Sequence, residues 1–346
     1  MHDVVIAGGG PVGMAAALHA HRAGLSVVVR EPRSGPVDKA CGEGLMPGAV
    51  AELADLGVHP HGRELTGIHY LDGTTDGSGA TARFGVGPGR GVRRTVLHAA
   101  LAERLAAAGI EVDPRPVEDV RVADDHVLVD GERADYLIAA DGLHSPVRRM
   151  LGLDAAAPDR RRFGLRCHVQ QAPWTSYVEV HWSRRAEAYV TPVADDLVGV
   201  AVLSDAGTRF DDLLDDFPVL RSRLTGERTK VMGAGPLRQR VTSRSLGRVL
   251  LVGDAAGYVD ALTGEGIALG LAQARVAVDS VASGQPEVYD RRARRLGMRH
   301  ELLTHALLRA TSHHVVRRQL VPTAARLPWL FSAAVNQLAR PVRTSA

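Results

Sequence analysis

The strongest constraint on this chain lies at its start. Gly8-Gly9-Gly10-Pro11-Val12-Gly13 has the spacing Gly-x-Gly-x-x-Gly. It follows the apolar run Val4-Val5-Ile6-Ala7 and precedes an Ala/Leu-rich stretch from Met14 to Ala23, where Gly24 is placed to end a helix. Leu25-Ser26-Val27-Val28-Val29 then reads as a second strand. Together these form a βαβ opening with parallel strands and a right-handed crossover. In such a unit Gly8 permits the tight turn, Gly10 lets backbone approach a pyrophosphate, and Gly13 lets helix and strand pack closely. Pro11 and Val12 open a helix whose N-terminus favours the phosphate charge. Glu31 stands just past the second strand, placed to accept hydrogen bonds from an adenosine ribose and to repel a 2′-phosphate. Arg33 is grouped with it. The motif alone does not choose between NAD and FAD.

Two later segments repeat the strand-then-glycine pattern. Asp141-Gly142 follows an apolar strand and continues Leu143-His144-Ser145-Pro146-Val147-Arg148. Gly253-Asp254-Ala255-Ala256-Gly257 follows another and leads through Leu262-Thr263-Gly264-Glu265-Gly266-Ile267 into a helix. Asp254 ends a buried strand, where a carboxylate reaches a ribityl or ribose hydroxyl. The Gly264–Ile267 turn offers backbone N–H groups to an electron-rich ring edge.

Helices are expected around 49–56, over 97–108, around 267–280, and from Val288 onward with breaks at Pro322 and Pro328. Between Phe163 and Leu203 the period changes to two. Phe163, Leu165, Cys167 and Val169 share one face of a strand; Arg162, Arg166, His168 and Gln170 share the other. That pattern predicts a half-buried antiparallel sheet. His168, Glu179 and His181 fall on its polar faces and are expected to be exposed. At 346 residues the chain holds one large or a few intimate domains. The expected fold is α/β: a Rossmann-like nucleotide-binding domain over 1–65, 93–157 and 236–290, interrupted by a substrate-binding β-sheet domain over 66–92 and 158–235. A helical segment over 291–346 completes it.

The three glycine segments resemble the superfamily of FAD-dependent aromatic hydroxylases (group A flavoprotein monooxygenases) and geranylgeranyl-reductase-like flavoproteins. The resemblance covers roughly residues 1–285. It implies a glutathione-reductase type of FAD domain, non-covalent FAD, and a substrate sheet above the isoalloxazine. Asp141–Arg148 looks like the family's DG motif and Gly253-Asp254 like its GD motif. Arg94 matches the residue that precedes the second helix and contacts the flavin. No second strand–GxGxxG–helix unit is present, so the resemblance implies NAD(P)H, or another donor, as a transient reductant.

The resemblance points two ways. Lys39-Ala40-Cys41-Gly42-Glu43-Gly44 is similar to the loop of geranylgeranyl reductase relatives whose cysteine lies near the flavin. The Trp-x-Phe-Pro element of those reductases is missing, and Ala188–Val193 is more like the hydroxylase sheet. The histidine that hydroxylases carry after Gly-Asp-Ala-Ala is replaced by Gly257. The leading expectation is a monooxygenase that hydroxylates a small aromatic or phenolic, lipid-tailed or polyketide substrate through a flavin C4a-hydroperoxide, in secondary metabolism. There His168 or His181 would serve as base. The alternative is a reductase of isoprenoid or enoyl C=C bonds, with Cys41 as proton donor. Trp174, Trp182 and Tyr189 are candidates for an aromatic substrate wall. A non-catalytic FAD-stabilised scaffold is the third, least favoured class.

The remaining signals narrow the setting. Two cysteines, Cys41 and Cys167, exclude a disulfide scaffold and suggest a reduced, cytoplasmic compartment. No apolar run reaches membrane-span length, and the N-terminus lacks signal-peptide character. Residues 291–346 hold eleven arginines against one acid, Glu301. This tail, with Leu302-Leu303, Leu307-Leu308 and Trp329-Leu330-Phe331, suggests a peripheral membrane contact and a hydrophobic small-molecule substrate. No nucleic-acid module accompanies the charge. His59-Pro60-His61 and His313-His314 lack metal-site spacing, so no metal is expected. Gly-x-Ser-x-Gly and Walker motifs are absent. The oligomeric state is not encoded legibly.

Overall fold

The computed structural model describes residues 2–73, 79–156, 161–205, 207–262 and 264–342; Thr263 of the expected Leu262–Ile267 turn lies outside the described residues. The chain opens with strand β1 (His2–Ala7), helix α1 (Pro11–Arg22) and β2 (Val27–Arg30). Next come β3 (Gly44–Leu45), α2 (Pro47–Asp55), β4 (Arg63–Leu65), β5 (Gly67–Asp72), β6 (Gly79–Arg83) and β7 (Gly89–Gly91). The strands β8 (Glu111–Asp113), β9 (Val120–Val122), β10 (Val127–Val129) and β11 (Glu132–Ala139) lie between α3 (Arg94–Ala107) and α4 (Pro146–Met150). Four long strands follow: β12 (Arg162–Gln170), β13 (Tyr177–Trp182), β14 (Ala186–Ala194) and β15 (Leu197–Asp205). Two short helices, α5 (Phe210–Leu214) and α6 (Pro218–Arg223), and the strands β16 (Glu227–Arg228), β17 (Met232–Ala234), β18 (Ser245–Leu246) and β19 (Val249–Leu251) lead to α7 (Gly266–Ala282). The chain closes with α8 (Tyr289–Ser312), α9 (His314–Arg326) and α10 (Pro328–Ala339).

One sheet has the order β18-β19-β11-β1-β2-β8, its core strands parallel. Those strands are apolar on both faces because both are covered. Ile6, Val29, Ile138 and Leu250 pack with the small and apolar residues of α1, α3 and α7. Val5, Val28, Leu137 and Leu251 form a second core on the opposite side. Gly13 fixes the approach of α1: a Cβ there would lie 1.9 Å from the Gly8 carbonyl oxygen.

The second sheet has the order β16-β12-β15-β14-β13-β5-β6, with β17 beside β12. Its one parallel neighbour pair among the described residues is β5 with β13, since β5 arrives from far upstream rather than through a hairpin. The expected half-buried sheet is corrected: both faces are covered. Cys167, Val190 and Val200 pack on one side against Phe210, Leu213 and Phe217 of the α5–α6 segment. The polar side faces inward, onto the parallel-sheet half. Pro322 does not break a helix as expected; it sits inside α9, and the break falls at His313, where the backbone turns extended (ψ 117°). α9 stays helical because Val321 and Ala324 pack beneath it against the second sheet, which offsets the lost hydrogen bond.

Candidate active site

The glycine turn after β1 forms a cradle. Gly8 adopts φ 101°, which only glycine takes without strain, and a Cβ on it would sit 2.7 Å from the Ala140 carbonyl oxygen. A Cβ on Gly10 would meet nothing nearer than the Arg94 guanidinium at 3.8 Å, so the space before α1 is open there. The first turn of α1 carries no acid, and its N–H groups are left for an anion. Glu31 is buried. It accepts from the Gly9 N–H at 2.9 Å, and from the Arg33 backbone N–H and Nε at 3.0 and 2.7 Å. Burial opposes ionisation, but these donors hold its carboxyl below the ordinary range. Arg33 Nη2 donates to it as well, at 2.8 Å, so ribose hydroxyls would take the places of the exposed Arg33 side chain.

Arg94 begins α3, and its backbone N–H donates to Glu43 Oε1 at 2.8 Å. Its Nε is buried without a partner. Asp141 Oδ2 accepts the Val147 N–H at 3.0 Å, whereas Oδ1 is buried and unpartnered. Burial raises the Asp141 carboxyl. Gly142 (φ 86°) carries the chain into the α4 turn, where buried Arg148 donates to the carbonyls of Leu143 and Ala255 and thereby ties the two glycine segments together.

Gly253 (φ 61°) ends the last parallel strand, and its N–H is held by Gln273 Oε1 at 2.8 Å. The half-buried Asp254 beside it lines a cavity of about 400 Å³ together with Gly257, Tyr258, Gly266 and Gly270. Gly264 (φ 69°) turns the chain into α7; Gly266 starts that helix under the Tyr258 ring, and Ile267 packs on the main core. Glu265 is occupied by His300 Nδ1 at 2.5 Å.

The inner face of the second sheet closes over these turns. Arg162, Arg166 and His168 of β12 and Glu187, Tyr189 and Thr191 of β14 point toward the loops 38–43 and 258–262. Glu43 is the centre of one cluster: its Oε2 lies 2.7 Å from His168 Nε2, and Arg166 sits between His168 Nδ1 (3.2 Å) and the Asp38 carboxylate. Thr191 Oγ1 donates to the Gly42 carbonyl at 2.8 Å. The Lys39–Gly44 loop is thus fastened on both sides of Cys41, which stays partly exposed. Glu187 is the centre of the second cluster. It is fully buried, pairs with Arg162, and meets Arg317 of α9 at 2.6 Å. Asp260 lies 3.5 Å from Arg162. Burial, with Glu187 adding to it, pushes the Asp260 carboxyl up to about 6 although Arg162 opposes the shift. Tyr189 donates to the Leu262 carbonyl at 3.1 Å, and Trp182 Nε1 is a buried donor with no partner.

The expectation that His168, Glu179 and His181 are exposed is corrected: they are 1, 3 and 2% exposed. Only His168 faces inward. Register pairs His181 with Ala188 and Glu179 with Val190, which places both on the outer face. There His181 Nε2 meets Glu179 Oε2 at 2.9 Å, and Trp174 Nε1 donates to Glu179. His181 and Trp174 are therefore remote from the turns that gather the glycine motifs. Trp182 and Tyr189 share the inner face with Tyr70. The sequence reading missed Glu43, Glu187, Asp260 and Arg317. For Glu187 a signal existed, since it alternates with Ala188 on the strand face that carries Tyr189. Nothing local marks Asp260 or Arg317.

Comparison with known proteins settles what the cradle holds. The model of the family described as FAD binding domain matches residues 1–204. The chain belongs to this FAD-binding family. A menaquinone reductase of Mycolicibacterium smegmatis is 31% identical over 327 residues, spanning 82% of this chain and 76% of that protein. Digeranylgeranylglycerophospholipid reductase 1 of Methanothermobacter thermautotrophicus is 28% identical, spanning 85% and 80%. Among solved structures, the flavin-dependent halogenase CmlS aligns with a TM-score of 0.81 at 20% identity, over 100% of this chain and 74% of that one. The anhydrotetracycline hydroxylase OxyS of Streptomyces rimosus aligns at 0.74 and 20%, over 98% and 75%. At that identity the structures establish the fold alone.

The chain is an FAD-dependent oxidoreductase of this family, and its residues fit the cofactor. The open Gly10 position and the α1 N-terminus suit the pyrophosphate, and Glu31 suits the ribose. The unpartnered Asp141 Oδ1 and Arg94 Nε are buried polar atoms that a ligand would satisfy. Asp254 and the Gly264–Ile267 turn remain for the ribityl chain and ring.

Proposed function

We propose that this enzyme is a reductase that saturates a C=C bond of a hydrophobic isoprenoid or enoyl substrate, with NAD(P)H or another donor reducing the flavin transiently. The observation that carries this reading is the fastened Lys39–Gly44 loop. It presents Cys41 at the junction of the FAD-binding half and the inner sheet face, anchored through Thr191, His168 and Arg94. The relatives named as reductases of menaquinone and of digeranylgeranylglycerophospholipid support it. When bound and reduced, FAD would supply the hydride for one carbon of the double bond. The chain supplies the rest: Cys41 Sγ–H gives a proton to the other carbon and is reprotonated from solvent, on which it partly opens. Cys167 is unsuited to that role, since it is buried on the outer face and burial pushes its thiol up to about 11. Val180, Leu203, Leu262 and Val321 form an apolar surface that excludes water beside the polar clusters. Tyr258, whose phenol burial keeps far above its ordinary range, stays a neutral donor next to Asp254 and Asp260.

A second reading, hydroxylation of an aromatic ring, is favoured by the inner-face aromatics Tyr70, Trp182 and Tyr189 and by the free Trp182 N–H. One assay separates the two. Anaerobic incubation of the dithionite-reduced, desalted holoenzyme with a polyprenyl quinone, followed by reoxidation of the quinone ring in air, should give a product two mass units heavier in its side chain, about 100-fold less with Cys41→Ala at unchanged flavin content. Oxygen-dependent gain of one oxygen atom by a phenol, with no anaerobic product, would replace this reading by the second.

A further inference from the structure

Seven of the thirteen large apolar side chains exposed among the described residues lie in the last three helices and the α9–α10 junction. Five of them fall within Val315–Leu330, and Trp329 and Val315 are 69 and 61% exposed. These are not loose ends, because the same helices are firmly packed on their other side. In α9, Arg317, Leu320, Val321 and Ala324 face inward: Arg317 donates to the carbonyls of Ser183 and Ala186, and Val321 joins the cluster of Trp182, Tyr189 and Leu262. In α10, Phe331 and Val335 pack on Ala80 and Ala82 of β6, and Asn336 bonds to Gly85 and Arg83. The outward stripe, at helical spacing, then reads Val315, Arg318, Arg326, and at the junction Leu327, Trp329 and Leu330. No acid follows Glu301 anywhere in the chain.

An apolar ridge on two helices that carry arginines and no acid has the chemistry that suits an anionic lipid surface. We propose that the α9–α10 junction docks this enzyme on the surface of an anionic bilayer, with Trp329 and Leu330 inserted at the headgroup boundary and Arg318 and Arg326 on the lipid phosphates. The contact is peripheral, since no helix of the described residues is long and apolar enough to cross a membrane. α9 is also the wall between that surface and the inner sheet face, so docking sets a bilayer against the cover of the candidate active site. The docking does not depend on which reaction occurs there.

The test is co-sedimentation of the FAD-loaded enzyme with phosphatidylcholine vesicles, with and without phosphatidylglycerol. Binding is expected only with the anionic lipid, falling as salt is raised. Trp329→Ser with Leu330→Ser should weaken it about tenfold or more at unchanged flavin absorbance and melting temperature. Arg318→Gln with Arg326→Gln should flatten the salt dependence. No binding at low salt, or unchanged binding by the serine variant, would overturn the proposal. So would a dimer in solution that the serine variant dissociates, for then a second copy occupies the ridge. Should the serine variant lose its flavin, quenching of Trp329 fluorescence by brominated lipid in the unmodified protein decides instead: no quenching refutes docking.

Discussion

The two halves of the site are built from opposite materials. The cradle beneath FAD is made of backbone: glycines at positions 8, 10, 13, 253 and 264, and the free N–H groups of a helix start. The inner face of the second sheet is made of buried charge: Glu187 with Arg162 and Arg317, and Glu43 with His168 and Arg166. The cradle recognises its ligand by letting it come close, whereas the sheet face holds its shape by pairing ions that would each be costly alone. A cradle is damaged by adding atoms; an ion cluster is damaged by removing them.

The largest effect should separate two glycines three residues apart. Gly13→Ala places a Cβ 1.9 Å from a backbone oxygen, so no flavin-retaining soluble protein is expected. Gly10→Ala meets only the tip of Arg94 at 3.8 Å; it should fold and weaken FAD by about tenfold, read by flavin absorbance per chain. Equal behaviour of the two would break the distinction between packing glycine and ligand glycine.

On the sheet face, Glu187→Ala removes the carboxylate that Arg317 pairs with and leaves Arg162 only Asp260, at 3.5 Å. Urea unfolding of the holoenzyme should show a loss of about 3–5 kcal/mol. A loss below about 1 kcal/mol would mean that the cluster is hydrated and not a pinned core.

Asp260 gives a smaller, pH-dependent effect. Its carboxyl sits at about 6 in the folded chain against an ordinary 3.8. The native state therefore holds the proton more tightly than the unfolded one. The resulting stability is full below about pH 4 and is lost as pH rises through about 6. Between about pH 5 and 7.5 the parent should lose about 1–2 kcal/mol relative to Asp260→Asn. Parallel pH profiles would remove Asp260 from the buried cluster.

The smallest effect is expected at Arg33. Its side chain is 57% exposed while Glu31 opposite is 5% exposed and keeps its bond to Gly9. Arg33→Ala should change FAD affinity by less than about fivefold, measured by flavin titration of the apoprotein.

Period-two patterning found the second sheet and sorted its faces, but assigned the polar face to water. Alternation says only that the two faces differ. Whether Arg162, His168 and Glu187 meet solvent or counter-charges depends on what the rest of the chain lays over them. Here that is loop 38–43, the 258–262 turn and Arg317, none of them near in sequence. The same pattern left His181 and His168 alike, although the register sends them to opposite faces.

The sequence by itself determined the FAD half, because glycine spacing, strand and helix act locally: φ above zero and the absence of a Cβ are properties of single residues. Tertiary structure alone decided which acids and bases lie together, since a buried ion pair is a relation between distant segments that neither encodes alone. It also decided that α9 and α10 turn Arg317 and Phe331 inward and Trp329 outward, because a helix's phase acquires a meaning only once something is packed against it.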